Sequence, residues 1–288
     1  MVTGHHFMIE EIKKKSKNNL DLNNLKEHNL SIQLSLDGFS FCVQHAYNNE
    51  IVAFSSYKFQ HKHSVTPEAQ LNFIKKIYKN EPLLNNTFKA VQVAHFNNLI
   101  TQVPKAFFDS DKLSDYLKFT VKVLDNDYIT YDEVANNDFI NVYIPFVNIN
   151  NYLLDKYGTF TFKHSSTVLF EKLLNDYKNV NDDYIIVNVF DTNFELLAIE
   201  GSKFKLFNNF SFNTKEDFIY YILFTAEQLK LNPEAFHLVL MGDIEKESEL
   251  YAIAYQYIRN VSFYNNPNFP NLLDNSSSHN HFTVLNQF

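Results

Sequence analysis

The sequence predicts a mixed α/β protein of two lobes, each a mixed sheet built on a βββαβα unit. Residues 30–59 read as strand, Asp-containing turn, strand, turn, strand, and residues 184–212 give the same order about 150 positions later. An amphipathic helix, a short apolar strand and another helix follow each triplet. A length of 288 residues suits two domains of ordinary size. The repeat therefore favours two similar lobes over one continuous domain.

The first lobe is predicted over residues 30–180, with an insertion. Apolar and polar residues alternate over residues 30–36, which is the period of a half-buried strand. Asp37-Gly38 predicts a two-residue hairpin turn, because both residue types tolerate a positive φ. Thr66-Pro67-Glu68 predicts a helix start, with a capping hydroxyl, a proline in the first turn and an acid beside it. These signals place the first βββα unit.

The second lobe is predicted over residues 181–264. The run Ile185-Ile186-Val187 indicates a buried first strand. Thr214 and Asp217 have the spacing of a capping box before the helix that follows the triplet. Outside the lobes, residues 1–29 are predicted as a polar N-terminal arm with a solvated lysine run, and residues 265–288 as a loose C-terminal tail.

Composition excludes several functions. The net charge of −8 and the single arginine, Arg259, argue against nucleic-acid binding, which depends on clustered lysine and arginine. The chain has 5 glycines, which are too few for the glycine-rich loops that usually bind phosphate through their backbone. Cys42 is the sole cysteine and lies in an apolar strand, where we interpret it as a packing residue. No signal pattern and no apolar run of the ~18 residues that a membrane span needs is present, so we expect a cytoplasmic protein.

The order of three antiparallel strands followed by alternating helix and strand, present twice, resembles the actin-like ATPase superfamily, whose halves are ribonuclease-H-like. In detail the chain is similar to an uncharacterised bacterial family, a domain of unknown function with this duplicated fold. The resemblance implies a nucleotide and Mg²⁺ held by the first hairpin of each lobe and by a glycine pair. The residues that match those positions are Asp37, Gly38, Ser40, Asp191, Thr192, Gly242 and Asp243.

This chain departs from the pattern of the active members at those positions. Phe39 replaces a small residue, Thr192-Asn193 replaces a glycine run, and Asp243 replaces a second glycine. Backbone N–H groups cradle phosphate only where no Cβ blocks the approach. Without cations between them, acidic side chains also repel triphosphate. We therefore expect no catalytic residues and no cofactor beyond a vestigial Mg-ATP site.

Three other patterns have structural and functional interpretations. Asp37 and Asp191 would suit a metal-dependent nuclease, although aspartate is also a common turn residue. His61-x-His63 and His279-x-His281 have metal-ligand spacing, but without further ligands at a diagnostic distance we interpret them as surface histidines and expect no metal site. The aromatic strands are expected to form core, unless Phe210 and Phe212 lie at an exposed edge and mark an interaction surface.

Two functions remain open from the sequence. The first is a non-catalytic actin-like scaffold that binds a protein partner, including a second copy of itself as a homodimer. The alternative is a divergent Mg-ATP-binding ATPase or kinase-like protein in which Asp37 and Asp191 hold Mg²⁺.

Overall fold

The computed structural model describes residues 8–17, 20–21, 24–60, 66–266, 269–273 and 276–288. The chain divides into two compact units, one of Met1–Glu171 with Thr283–Phe288 and one of Lys172–Phe282. The division falls within a helix, upstream of the lobe boundary predicted at residues 180 and 181, which itself stays a prediction.

The first unit contains nine strands within its described residues. They are β1 (Met8–Ser16), β2 (His28–Leu34), β3 (Gly38–His45), β4 (Ile51–Gln60), β5 (Ala90–His95), β6 (Ile100–Pro104), β7 (Thr130–Glu133), β8 (Phe139–Tyr143) and β9 (Thr161–His164). Its helices are α1 (Pro67–Asn80), α2 (Leu113–Leu117), α3 (Val147–Tyr157) and α4 (Ser165–Asp176), of which α4 continues into the second unit.

The main sheet of the first unit has six strands in the order β1-β4-β3-β2-β5-β9. β2, β3 and β4 pair antiparallel, whereas β5 pairs parallel to β2 and β9 parallel to β5. Between β5 and β9 the chain forms a separate antiparallel sheet in the order β6-β8-β7. The predicted strand triplet and the strand after it are therefore neighbours in one mixed sheet.

The second unit has five described strands and repeats the arrangement. Its strands are β10 (Tyr184–Val189), β11 (Asn193–Glu200), β12 (Lys203–Ser211), β13 (His237–Gly242) and β14 (Asn260–Phe263). Its helices are α5 (Lys215–Gln228) and α6 (Glu249–Tyr257), and α7 (Phe282–Leu285) crosses the division between the units. The order β12-β11-β10-β13-β14 matches β4-β3-β2-β5-β9 strand for strand, which confirms the predicted duplicated fold.

The N-terminal arm expected over residues 1–29 differs from the structure in its described part. Met8–Ser16 form β1, which pairs antiparallel with β4 and extends the sheet by one strand. Its lysine run carries charged side chains on a half-exposed edge strand, and Lys14 forms an ion pair with Glu81 at 2.6 Å. Sequence reasoning missed this strand because lysine is common on edge strands and weakens the strand signal.

The predicted helix starts are confirmed. The Thr66 hydroxyl accepts a hydrogen bond from the N–H of Ala69 at 3.2 Å, with Pro67 in the first turn of α1. Thr214 and Asp217 form a reciprocal capping box at the start of α5. Such caps satisfy N–H groups that lack intrahelical partners, and each stabilises its helix by about 1 kcal/mol.

Each unit has its own apolar core beneath these helices. In the first unit, Phe73, Ile74 and Ile77 of α1 belong to the same buried cluster as the inward side chains of β2 and β3. In the second, Phe218 of α5 packs edge-on against Phe194 of β11, with ring centroids 5.1 Å apart. These cores fix the hairpins that carry the candidate site residues.

Candidate functional site

The first hairpin turn, in the first unit, closes with main-chain hydrogen bonds. The N–H of Ser35 donates to the carbonyl oxygen of Gly38 at 3.1 Å, and the N–H of Phe59 donates to the carbonyl oxygen of Asp37 at 2.7 Å. The hairpin predicted at Asp37-Gly38 is present, but neither residue has a positive φ, so the conformational reason given for it is wrong. The Asp37 side chain is exposed at the tip.

Gly38 allows a close approach to the neighbouring strand instead. A Cβ at this position would lie 3.0 Å from the carbonyl oxygen of Tyr57 on the neighbouring strand. The Ser40 hydroxyl is 3.0 Å from the hydroxyl of Ser56, and the two form a hydrogen bond across β3 and β4. Both residues therefore make contacts within the sheet of the first unit.

The second hairpin turn, in the second unit, is equally compact. The N–H of Phe190 donates to the carbonyl oxygen of Asn193 at 2.8 Å, and the N–H of Phe212 donates to that of Thr192 at 3.0 Å. Asp191 and Thr192 occupy the exposed tip. The corresponding turns of the two units thus each carry an exposed aspartate, Asp37 and Asp191.

The end of β13 lies against the end of β10. Gly242 has φ +82°, and a Cβ there would lie 2.2 Å from the carbonyl oxygen of Val189, so only glycine fits. The N–H of Gly242 donates to the carbonyl oxygen of His279 at 3.0 Å, and the N–H of Asp243 donates to that of Val189 at 2.8 Å. Both amides are therefore engaged by carbonyl groups of the same unit.

Behind the second turn lies a buried carboxyl group that sequence reasoning missed. Glu195 of β11 is 3% exposed and accepts a hydrogen bond of 3.0 Å from the side-chain amide of Asn188 on β10. Burial raises the pKa of Glu195 to about 7, although the hydrogen bond from Asn188 opposes the rise. The sequence signal for this pair was the presence of two polar residues, Asn188 and Glu195, in otherwise apolar strands that face each other.

The first unit contains a second buried polar cluster, also missed, where β7, β8 and β9 meet the start of α4. Asp132 accepts hydrogen bonds from the hydroxyls of Tyr143 at 3.0 Å and Thr167 at 2.7 Å, and from the N–H of His164 at 2.8 Å. Burial raises the pKa of Asp132 to about 6, against the effect of these donors. Asn141 donates to the hydroxyls of Ser166 at 2.9 Å and Thr167 at 2.8 Å, and so completes the cluster.

The histidine in this cluster makes hydrogen bonds through both of its ring nitrogens. His164 is fully buried, and burial lowers its pKa to about 3, so the ring stays neutral. Its Nδ1 pairs with the hydroxyl of Ser166 at 2.8 Å and its Nε2 with the carbonyl oxygen of Asn97 at 3.1 Å. The buried ring therefore joins the start of α4 to the segment between β5 and β6.

The prediction that both histidine pairs lie at the surface has a different outcome for each pair. His61 and His63 lie outside the described residues. The interpretation of His279 as a surface residue is wrong: it is 5% exposed, its Nε2 pairs with the carbonyl oxygen of Ile244 at 2.7 Å, and its ring stacks on Phe263 at 4.5 Å. Over the part of the chain that the structure describes, no group of three or more His, Cys, Asp or Glu side chains is placed to hold a metal ion.

The aromatic strands are core on β3 and β11 and lie at a sheet edge on β12. Phe39, Phe41 and Phe194 are buried. Phe210 on β12, the outermost strand of its sheet, and Phe212, which follows that strand, are half-buried, and each lies against Phe194, at 5.5 Å and 6.0 Å. Phe210 therefore has the edge position that the interaction-surface hypothesis requires, although both rings pack against the core of the second unit.

A groove of about 410 Å³ lies elsewhere in the first unit, at the N-terminal ends of the parallel strands β5 and β9. Lys89 and Lys156 line it together with Phe88 and Phe160. Because β5 runs parallel to β2, this groove is at the opposite end of the sheet from the Asp37 turn.

Comparison with solved structures identifies the fold. A Bacteroides thetaiotaomicron protein with an actin-like ATPase fold and unknown function is similar over 85% of this chain and 93% of its own, with a TM-score of 0.75 and 22% identity. The PilM-PilN type IV pilus biogenesis complex is similar over 89% of this chain and 96% of its own, with a TM-score of 0.58 and 11% identity. The chain therefore has the actin-like ATPase fold.

The sequence comparison then gives the family. Residues 17–261 match the model of a family described as Protein of unknown function (DUF3822), and the chain belongs to that family. No curated protein matches the chain. Among the described residues, no helix is both long enough and apolar enough to span a membrane.

Proposed function

We propose that this chain is a non-catalytic actin-like protein of the cytoplasm that works as a scaffold, by binding other proteins. One observation carries the proposal: the N–H groups of Gly242 and Asp243 donate to the carbonyl oxygens of His279 and Val189. The resemblance assigned this position to nucleotide contact.

Binding a nucleotide here would replace those two bonds. A carbonyl that loses its donor in a buried position costs about 1–3 kcal/mol, and His279 is itself buried. The exposed carboxylate of Asp243 adds charge of the same sign as the phosphates. Both effects weaken phosphate binding, which supports a role that does not depend on hydrolysis.

The alternative, a divergent Mg-ATP-binding protein, is favoured by a different observation. Asp37 and Asp191 are exposed at corresponding turns of the two units, where each carboxylate is accessible to a hydrated Mg²⁺ ion. We place this alternative second because the main-chain amides of Gly242 and Asp243 already donate to carbonyl oxygens of the second unit.

A role in protein binding has further support. The edge strand β12 carries half-exposed aromatic side chains. The solved structure that contains PilM is, by its name, a complex with PilN. Transfer of a scaffold role from that protein to this chain is part of the proposal, since the likeness between them is one of fold.

The test compares the proteins that co-purify with tagged wild-type chain and with the double variant Asp37→Ala/Asp191→Ala, expressed from the native locus. A second double variant, Asp111→Ala/Glu247→Ala, removes two exposed acids away from the turns and serves as the matched control. A scaffold retains the same partners in all three and after enzymatic removal of ATP from the extract. Loss of partners in the Asp37/Asp191 variant alone, or on ATP removal, contradicts the proposal and favours the Mg-ATP-binding alternative.

A further inference from the structure

The duplication provides an internal comparison for the outer edge of each main sheet. β4 and β12 are the third strands of their repeats. β4 is covered by β1, which pairs with it antiparallel from Met8–Gln60 to Ser16–Ala53. β12 is the outermost strand of its sheet and has β11 as its strand neighbour among the described residues. The same position in the fold is thus covered in the first unit and open in the second.

The N-terminal part of this edge has the protection that natural edge strands carry. Lys203 and Lys205 are exposed, Lys205 forms an ion pair with Glu200, and the register with β11 shifts at Ala198 and Ile199. Charged side chains and bulges of this kind prevent pairing with other strands.

The C-terminal part lacks that protection. Residues 206–211 read LFNNFS, without charge, proline or glycine. Aromatic contacts hold this part rigidly in place: Phe210 packs on Phe194 at 5.5 Å and stacks on Tyr221 of α5 at 4.8 Å. A rigid, uncharged strand edge has the chemistry that favours addition of another strand.

The main-chain pattern shows which groups face outward. The N–H of Phe212 donates to the carbonyl oxygen of Thr192, and the direction of the main-chain groups alternates along an antiparallel strand. The N–H and C=O groups of the even-numbered residues in this segment therefore bond to β11, whereas those of the odd-numbered residues point outward from the sheet edge. The N–H of Asn209 accordingly donates to the side-chain oxygen of its neighbour Asn208, at 2.9 Å. The Asn208 side chain therefore accepts a hydrogen bond from the main-chain N–H that an added strand would bond to. Rotation of the Asn208 side chain would release that N–H.

We propose that the edge of β12 pairs with the same edge of a second copy of this chain. Antiparallel pairing about a two-fold axis at Asn208 sets Phe207 opposite Asn209 and Lys205 opposite Ser211 of the other copy. The two Lys205 side chains are then about 20 Å apart, beyond the ~8 Å screening length at physiological salt. The segment therefore complements itself, and the two five-stranded sheets become one continuous sheet. This inference rests on the proposed function and names the partner as a second copy.

Analytical ultracentrifugation at 5–100 µM, as an order-of-magnitude range for such interfaces, measures the association directly. We expect a species of twice the chain mass of 33.8 kDa. Asn209→Pro removes the outward donor without touching the bonds to β11, and Phe207→Lys puts charge at the centre of the interface. Each substitution should raise the dissociation constant of the dimer by roughly tenfold or more, because a contact removed from a two-fold symmetric interface is lost in both copies. Ser262→Lys, on the opposite edge strand β14, is the matched control and should leave it unchanged.

A cysteine variant tests the register. In the paired form, the two copies of residue 208 face each other as a non-hydrogen-bonded pair, with Cα atoms about 4.5 Å apart, which suits a disulfide. Asn208→Cys should therefore form a disulfide-linked dimer on mild oxidation, whereas Ser262→Cys should not. Far-ultraviolet circular dichroism and a thermal melt of each variant confirm that it is folded.

Three results would overturn the inference: a wild-type chain that stays monomeric at the highest concentration, a dimer unaffected by either β12 variant, or no cross-link through residue 208. Titration of the same samples with Mg-ATP separates this question from the proposed function. A β12 dimer that binds Mg-ATP keeps the inference and favours the Mg-ATP-binding alternative over the scaffold. A monomer that does not bind Mg-ATP overturns the inference and leaves the scaffold proposal in place.

Discussion

The N–H of Asp243 donates a hydrogen bond to the carbonyl oxygen of Val189 at 2.8 Å, which joins the end of β13 to the end of β10. In an α/β sheet, the carboxyl ends of parallel strands are where ligands usually bind. Here the backbone donors at that point are satisfied within the unit. The chain thus has the actin-like ATPase fold, and the amides at this strand end are engaged by main-chain carbonyl groups.

Gly242→Ala should strongly destabilise the second unit. The new Cβ would lie 2.2 Å from the Val189 carbonyl oxygen, and the alanine would have to adopt a φ of +82°, which L-residues rarely do. We expect a loss of about 3 kcal/mol or more in the free energy of unfolding, measured by urea denaturation. Gly201→Ala, at φ +59° with nothing within 4 Å, is the matched control and should lose about 1 kcal/mol. Equal losses would contradict the close contact between β13 and β10.

Glu195→Gln should make the protein more stable at pH 8 than the wild type. The folded-state pKa of about 7 lies above the ordinary value of 4.5, so the folded state holds its proton while the unfolded state loses it. The wild type therefore loses stability as the pH rises from about 4.5 to 7, by about 3 kcal/mol in total. Urea denaturation at pH 4.5 and 8 measures the difference between the two proteins, which should appear only at the higher pH. A difference that does not change with pH would contradict the raised pKa.

Asp132→Ala should destabilise the first unit by about 3 kcal/mol, because the buried residues Tyr143, Thr167 and His164 each lose the acceptor of a hydrogen bond. Asp132→Asn keeps one acceptor oxygen and should cost less. Glu133→Ala changes the next residue of β7, which is exposed, and should have an effect within about 0.5 kcal/mol. Chemical denaturation at pH 8, where the wild-type carboxyl group is ionised, gives the comparison. Indistinguishable Ala variants at 132 and 133 would show that the cluster does not hold the small sheet.

Cys42 should not react with thiol reagents in the native protein. Its side chain is fully buried on β3, and burial raises the pKa of the thiol. Reaction with a disulfide reagent should be negligible in buffer and complete in urea. Rapid labelling without denaturant would show that the strand opens readily, and would require a Cys42→Ser background for the cross-linking test at residue 208.

Much of the fold could be predicted from the sequence because its signals are local. Alternating apolar residues, the Thr66 and Thr214 caps and the two strand triplets each identify an element within a few residues. The edge strand β1 could not be predicted in this way, since its lysines resemble a solvated arm and its pairing with β4 is nonlocal.

The candidate site was harder to predict for the same reason. The sequence identifies Asp37 and Asp191 as turn residues, and the structure places both in exposed hairpin turns. Gly242 was indicated by the resemblance alone, and it is the last residue of β13. The Asn188–Glu195 pair and the Asp132 cluster depend on which strands are neighbours, and residues up to 35 positions apart meet in them. Such pairings follow from topology and carry no local pattern.

The measurement that tests the central claim most directly is a thermal melt of the purified chain with and without millimolar Mg-ATP. A ligand at about 100 times its dissociation constant adds about 2.7 kcal/mol of stability and raises the melting temperature by several degrees. The closed amides of Gly242 and Asp243 predict no shift beyond about 1 °C. A reproducible rise that disappears in Asp191→Ala would contradict this account and establish a nucleotide site.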